Sequence, residues 1–218
     1  MRTRIKICGI TRIPDALAAV QAGADAIGLV FWSGTPRAVS IDAARAIALA
    51  RPPFVTTVGL FVDPPADEVR AVLAAVPVDV LQFHGNEPAE FCRAFGRPYL
   101  KAMAVEPEAS EGRLVEYAVR YADAAGLLLD APPSDGLPGG TGKSFDWDRV
   151  PASLGRPIVL SGGLDASNVG TAIRRVHPWA VDVSTGVEAI GADGRPVKGI
   201  KDANRIGAFV EAVRNADG

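Results

Sequence analysis

The feature that most constrains the fold of this chain is a regular alternation of short β-rich runs with helical patterns. Eight runs have the length and apolar content of buried strands. They cover residues 4–10, 25–31, 56–62, 78–84, 99–105, 126–130, 157–161 and 180–184. Because parallel strands must be joined by long crossovers, strands that alternate with helices predict a parallel sheet covered by helices.

Between the runs, apolar residues recur at intervals of three and four, which places one apolar stripe along each predicted helix. The clearest stripes begin at Ile13, Val69, Val169 and Ile206. Eight strands close a barrel whose interior is filled by side chains, and 218 residues suit such a barrel. We therefore predict an α/β fold, a (βα)8 TIM barrel with residues 1–218 as a single domain. An open doubly wound sheet is the alternative.

Composition narrows the class of partner. The net charge is -2 and no run of Lys or Arg forms a basic patch, so no nucleic acid partner is expected. No apolar stretch is long enough to span a bilayer. Gly9 soon interrupts the short apolar stretch near the start, which therefore lacks the long apolar core of a signal peptide. Cys8 and Cys92 cannot build a disulfide framework, and no cluster has metal-ligand spacing. We expect a cytoplasmic protein without a metal site or a membrane partner.

In a barrel of this kind the chemistry lies at the carboxyl ends of the strands. Cys8 ends the first predicted strand, where a thiolate can act as a base if a cation or dipole lowers its pKa. The alternative for Cys8 is a small buried hydrophobic residue. Cys92 falls in a helical pattern and is interpreted as packing.

Other polar residues follow strands two, four and six. Asp130 ends an apolar strand, where partial desolvation favours the protonated form and suits a general acid. A cap for the next turn is the alternative. Arg37 could hold a carboxylate through two hydrogen bonds, although a lone Arg is usually solvated. His84 is either a polar wall residue of the site or a strand-end cap.

Glycine-rich segments follow the last two strands. They are Ser161-Gly162-Gly163 and Asp182-Val183-Ser184-Thr185-Gly186. Barrels often bind phosphate there, because glycine lets backbone N–H groups approach the anion. Ordinary turns are the alternative. A further glycine-rich loop over residues 135–143 is predicted to close over a substrate, with Lys143 reaching it.

Seven segments, taken in order, resemble the signature segments of the phosphoribosylanthranilate isomerase family. They are Lys6-Ile7-Cys8-Gly9-Ile10-Thr11, Pro36-Arg37, Gln82-Phe83-His84-Gly85, Leu129-Asp130, Gly139-Gly140-Thr141-Gly142-Lys143, Ser161-Gly162-Gly163-Leu164 and Asp182-Val183-Ser184-Thr185-Gly186-Val187-Glu188. Each segment is weak evidence alone, but the ordered set runs along essentially the whole chain and is specific.

The resemblance implies an Amadori rearrangement of a phosphorylated ribosyl-anthranilate, carried out without a cofactor. It implies that Asp130 is the general acid for the ribose ring oxygen and that Cys8 is the base for the C2 proton. The substrate-binding residues implied by the same motifs are Arg37, His84, Gly162, Gly163, Asp182, Ser184 and Gly186. Arg37 would pair with the anthranilate carboxylate, and the glycine-rich segments would hold the phosphate.

Three other functions stay open at this point. One is the related sugar-phosphate isomerase of histidine biosynthesis, although its relatives look as though they use two aspartates. Another is a thiol hydrolase in which Cys8 attacks and His84 assists. The third is a binding barrel without turnover. The sequence is compatible with either a monomer or a homodimer.

Overall fold

The computed structural model describes residues 2–106, 111–132 and 144–218, and its centre is a closed barrel of eight parallel strands. The strands are β1 Arg4–Cys8, β2 Ala26–Val30, β3 Thr56–Phe61, β4 Val80–Phe83, β5 Tyr99–Ala104, β6 Gly126–Asp130, β7 Ile158–Leu160 and β8 Ala180–Val183. Each strand pairs with its neighbours in the sequence, and β8 pairs with β1. The closure confirms the (βα)8 prediction, and the open doubly wound alternative is wrong.

Helices surround the barrel. They are α1 Ile13–Ala22, α2 Ile41–Ala50, α3 Ala66–Ala75, α4 Ala89–Arg93, α5 Glu111–Arg120, α6 Val169–Val176 and α7 Ala203–Ala216. The four predicted apolar stripes lie on α1, α3, α6 and α7. Local signals fix several ends: Asp202 accepts hydrogen bonds from two backbone N–H groups at the start of α7, and Gly23 ends α1 at φ 105°.

Alternation along each strand separates two environments. On β1, Ile5 and Ile7 belong to the apolar layer that the barrel shares with the helices. Lys6 and Cys8 occupy the opposite face, because successive side chains of a strand point to opposite sides. The barrel interior is therefore apolar at one level, around Leu128, and polar nearer the carboxyl ends of the strands.

Two elements follow β8 that the sequence analysis did not predict. Residues Thr185–Val187 form a 3-10 turn, and β9 Glu188–Ile190 pairs antiparallel with β10 Pro196–Lys201. This hairpin brings Glu188 and Lys201 behind the carboxyl ends of the strands. Within the described ranges, no helix has the length and apolarity needed to cross a membrane.

Candidate active site

A cavity opens at the carboxyl ends of the strands, with about 750 Å³ of empty space including its mouth. All the site residues expected from the sequence line it: Cys8, Arg37, His84, Asp130, Gly162, Gly163, Asp182, Ser184 and Gly186. The loop over residues 135–143, with Lys143, lies outside the described residues.

Asp130 forms one side of the cavity, and both of its carboxyl oxygens have neighbours. Oδ1 accepts a hydrogen bond of 2.8 Å from the backbone N–H of Ala131, and Oδ2 lies 3.2 Å from Nε2 of His84. The other ring nitrogen of His84 lies 3.0 Å from the side-chain amide nitrogen of Gln82. Asp130 thus caps its own turn, as the alternative interpretation expected, and also faces the cavity.

Gly162 lets the loop after β7 approach Asp130 closely. Its φ is 84°, and a Cβ there would lie 2.6 Å from the backbone nitrogen of Ala131 and 3.1 Å from Oδ1 of Asp130. Gly163 also has positive φ, at 61°. Gly162 is therefore required for its backbone conformation and for the close packing, and Gly163 is required for its backbone conformation.

Cys8 lines another side of the cavity beside a buried ion pair. Nζ of Lys6 lies 2.9 Å from Oδ1 of Asp182, and both side chains are almost fully buried. A Cβ on Gly28 would lie 2.8 Å from Sγ of Cys8 and 3.1 Å from Cε of Lys6, so those two atoms are at most 5.9 Å apart, the sum of the two distances.

Opposing effects act on the Cys8 thiol. Burial raises its pKa, the ammonium group of Lys6 lowers it, Asp182 raises it and Lys201 lowers it further. Burial prevails, and the pKa of Cys8 lies above its ordinary value. The two lysines therefore offset only part of the effect of burial.

Arg37 lies against Glu188 at the rim of the cavity. Its Nε and Nη2 donate to the two carboxylate oxygens at 2.7 and 2.9 Å, and Nη2 also lies 3.0 Å from the hydroxyl of Thr185. Glu188 is completely buried and also accepts from the backbone N–H of Gly199 and from Nζ of Lys201. Arg37 is thus a fixed element of the site rather than a solvated side chain.

The charges of this cluster shift in ways that follow from burial. Burial raises the pKa of Glu188, but hydrogen bonds from Arg37 and the charges of Lys201 and Arg37 outweigh it and hold the pKa below its ordinary value. Burial lowers the pKa of Lys201 more than Glu188 can raise it. The carboxylate is the firmly charged member of the cluster.

The loops after β7 and β8 meet closely at the remaining side of the cavity. A Cβ on Gly186 would overlap the carbonyl oxygen of Leu164, which belongs to the neighbouring loop. The Ser184 hydroxyl lies 3.2 Å from Nζ of Lys201. The two loops therefore pack directly against each other at this side of the cavity.

The chain as a whole matches a known family. The family model for N-(5'-phosphoribosyl)anthranilate (PRA) isomerase matches residues 5–212. The chain belongs to the N-(5'-phosphoribosyl)anthranilate isomerase family.

Individual members of that isomerase family resemble the chain over nearly its full length. The N-(5'-phosphoribosyl)anthranilate isomerase of Pseudomonas aeruginosa (strain UCBPP-PA14) is 58% identical over 212 residues, covering 97% of this chain and 95% of the relative. The crystal structure of the Thermotoga maritima enzyme has a TM-score of 0.85 at 38% identity, covering 98% and 99%. Another solved isomerase, with a TM-score of 0.79, 37% identity and the same coverage, is in complex with reduced 1-(o-carboxyphenylamino)-1-deoxyribulose 5-phosphate.

Four buried polar residues of this phosphoribosylanthranilate isomerase site were not singled out from the sequence: Lys6, Gln82, Glu188 and Lys201. Lys6 lies two residues before Cys8, and Gln82 lies two residues before His84. The period of two along a strand puts each pair on one face, so this signal could have found them. Glu188 and Lys201 gave no comparable signal, because their place depends on the unpredicted hairpin.

The thiol hydrolase alternative requires a histidine nitrogen directed at the thiol. The two ring nitrogens of His84 are directed at Gln82 and Asp130 instead. Cys8 has Lys6 as its electrostatic partner.

Among the residues that the structure describes, no group of three or more His, Cys, Asp or Glu side chains could hold a metal ion.

Proposed function

We propose that this chain converts N-(5-phosphoribosyl)anthranilate into 1-(2-carboxyphenylamino)-1-deoxyribulose 5-phosphate by an acid/base Amadori rearrangement. The observation that carries the proposal is a carboxyl group on β6 and a thiol on β1 that line one cavity. Their strands are three positions apart around the barrel, so the two groups approach a ligand from different directions. Membership of the isomerase family supports the same reaction.

In the first step Asp130 gives its proton to the ribose ring oxygen. The C1–O bond of the furanose breaks, and the nitrogen lone pair forms the C=N bond of a protonated imine. The carboxylate left on Asp130 then has the Ala131 N–H on one oxygen and Nε2 of His84 near the other. Donors aimed at charge that develops during a reaction are a major source of catalysis.

In the second step the Cys8 thiolate removes the proton from C2. The electrons of that C–H bond form a C=C bond to C1 and neutralise the imine nitrogen, which gives an enolamine. Proton transfer from the C2 hydroxyl to C1 then yields the ketone. Overall the substrate gains one proton from Asp130 and loses one to Cys8, so the reaction needs no oxidant or reductant. Release of the proton from Cys8 to solvent and uptake of a proton by Asp130 restore the starting forms. Burial raises the pKa of Cys8 above its ordinary value, and the charges of Lys6 and Lys201 offset part of that rise.

The two ends of the substrate fit the two remaining sides of the cavity. The loops that contain Gly162, Gly163, Ser184 and Gly186 would hold the phosphate through backbone N–H groups. Arg37, fixed by Glu188, would pair with the anthranilate carboxylate. The ligand of the solved relative carries both a phosphate and a carboxyphenyl group, which supports this arrangement.

The test is a spectroscopic turnover assay with freshly made N-(5-phosphoribosyl)anthranilate. We expect turnover by the native chain, and a loss of at least about a hundredfold in kcat for Cys8→Ser and for Asp130→Asn, the usual worth of a general base or acid. Cys92→Ala removes the other thiol, buried in α4, and should keep normal kcat. No turnover by folded native protein would reject the reaction and leave the binding barrel.

Binding separates chemistry from folding in the Asp130→Asn variant. An open-chain product analogue bypasses ring opening, so its Kd should change by less than about tenfold, or 1.4 kcal/mol. Loss of both turnover and analogue binding would show that Asp130 holds the site together instead.

We further propose that the protein works in the cytoplasm, as a monomer or a homodimer. The family's isomerase activity on a small phosphorylated metabolite supports the location. Cell fractionation with an antibody against the chain tests the compartment. Light scattering coupled to size-exclusion chromatography distinguishes the two oligomeric states.

A further inference from the structure

Gln82 is a buried polar side chain that the reaction described above does not use. It lies on β4, is 0% exposed and lines the cavity. Its Nε2 lies 3.0 Å from Nδ1 of His84. Its Oε1 has no hydrogen-bond partner among the described residues. A buried amide whose nitrogen has a partner but whose oxygen has none destabilises the folded state. This cost indicates that Gln82 has a functional role.

The direction of the amide determines the protonation of the imidazole ring. An amide NH2 group can only donate, so the ring nitrogen that it faces must accept. With the amide in this direction Nδ1 of His84 is the acceptor, and a neutral ring then has its proton on Nε2. That is the nitrogen 3.2 Å from Oδ2 of Asp130. The opposite amide direction would put the proton on Nδ1 and leave a lone pair facing the carboxyl group.

We propose that Gln82 is a positioning residue that holds His84 in the Nε2–H tautomer and so directs an N–H group at Asp130. The inference rests on the proposed role of Asp130 as the acid. When Asp130 loses its proton to the substrate, Oδ1 already accepts from Ala131. The Nε2–H group then donates a hydrogen bond to Oδ2, where the negative charge forms. Gln82 does not touch the proton being transferred; it acts through the ring.

The open end of the amide fits the same orientation. With Nε2 on His84, Oε1 is left as an acceptor at the cavity wall. A ribose intermediate brings hydroxyl donors into the cavity, and one of these would satisfy Oε1. The preference for a donor at this point therefore follows from the tautomer that Gln82 imposes.

Nitrogen-15 NMR of the histidine rings tests the tautomer without any need for activity. The chain has two histidines, and the second, His177, is exposed at the end of α6, so His177→Gln assigns the spectrum. We expect the Nε2–H tautomer for His84 in the native protein at neutral pH. A predominant Nδ1–H tautomer would overturn the proposal, even if every variant failed to fold.

Kinetics test whether the tautomer matters. Gln82→Met keeps the volume but removes the donor, and should give a mixture of His84 tautomers. Its kcat should fall by about tenfold, a fraction of the worth of a general acid, while KM changes less than kcat. Gln82→Glu presents only acceptors and should move the ring proton to Nδ1, with a larger loss of kcat.

A double-variant cycle shows the route of the effect. In a His84→Asn background, Gln82→Met should cause little further loss of kcat, because the two residues act as one unit. Additive losses, or a native tautomer population in Gln82→Met, would overturn the proposal. If the tautomer responds as expected but native protein shows no turnover, the proposed reaction fails while the role of Gln82 in setting the ring proton stands.

Discussion

Replacing Glu188 by Gln tests what holds Arg37 in place. The carboxylate is completely buried and accepts four hydrogen bonds, two from Arg37 and one each from Gly199 and Lys201. Gln has nearly the same shape, but it is neutral and one oxygen becomes an NH2 donor. That donor must face N–H groups that themselves only donate. The substitution therefore removes the anion between two buried cations and adds an unfavourable contact.

The size of the effect follows from the burial of the pair. Removing one partner of a buried ion pair typically costs about 3–5 kcal/mol, because the other charge is left uncompensated. We expect a loss at the lower end of that range, about 3 kcal/mol. In a domain of this size each kcal/mol shifts Tm by about 2–4 °C, which predicts a fall of about 6–12 °C.

Thermal and urea unfolding, followed by circular dichroism and tryptophan fluorescence, measure the loss in Glu188→Gln. The matched control is Asp67→Asn, which breaks an exposed pair with Arg70 and should leave Tm unchanged. Kinetics on the same samples should show a raised KM, because Arg37 no longer has a fixed position. A variant of Glu188 with native Tm and native KM would refute the reasoning that this buried carboxylate orients Arg37.

Four further predictions follow from single features. Because the pKa of Glu188 is lowered in the folded state, its contribution to stability is present above about pH 4.5 and is lost as the pH falls through the folded-state pKa. Acid unfolding should therefore be less steep in Glu188→Gln than in the native protein. Because burial raises the pKa of Cys8, kcat/KM should increase from neutral to alkaline pH, and a flat profile would contradict its role as base. Arg37→Lys keeps the charge but loses the planar fork, so KM should rise by about tenfold or more while kcat changes less, and a loss confined to kcat would argue against substrate binding. Gly162→Ala should lower both Tm and kcat, whereas Gly155→Ala, with φ 67° and open space, should lower Tm alone; equal kcat in the two variants would exclude a role for the close contact.

The sequence was sufficient for the barrel because its signals are local. Each strand lies inside a predicted run, and the runs extend beyond the strands by no more than two residues at either end. The excess arises because apolar residues continue past the point where ladder hydrogen bonds stop, as Ile10 does after β1 while remaining fully buried. Because the carboxyl ends of the strands meet at one face of a barrel, the sequence also predicted that Cys8, His84 and Asp130 lie together although they are far apart in the chain.

The pairing of charges could not be predicted in the same way. Arg37 and Glu188 are 151 residues apart, and Lys6 and Asp182 are 176 apart. Periodicity assigns a residue to a face but does not say which residue lies opposite it. The β9–β10 hairpin has one bulged strand and short pairing, which gives a weak pattern. Sequence reasoning therefore recovered the residues that line the cavity but not those that hold them.

The electrostatic surroundings of the two reactive groups differ, and the difference supports their proposed roles. The Cys8 side of the cavity is surrounded by three buried cations and two carboxylates: Lys6, Arg37, Lys201, Asp182 and Glu188. These cations offset part of the burial that raises the pKa of Cys8, and their surplus of positive charge attracts an anionic substrate. On the other side, Oδ1 of Asp130 accepts from the backbone N–H of Ala131 and Oδ2 lies 3.2 Å from Nε2 of His84. An acid at the position of Cys8 would have to release its proton close to the anionic groups of the substrate. It would then have to take up a proton again beside the lysines, whose positive charges oppose that uptake. A base at the position of Asp130 would lack the cations that Cys8 has. The distribution of charge thus supports the proposed order, with Asp130 in the first proton transfer and Cys8 in the second.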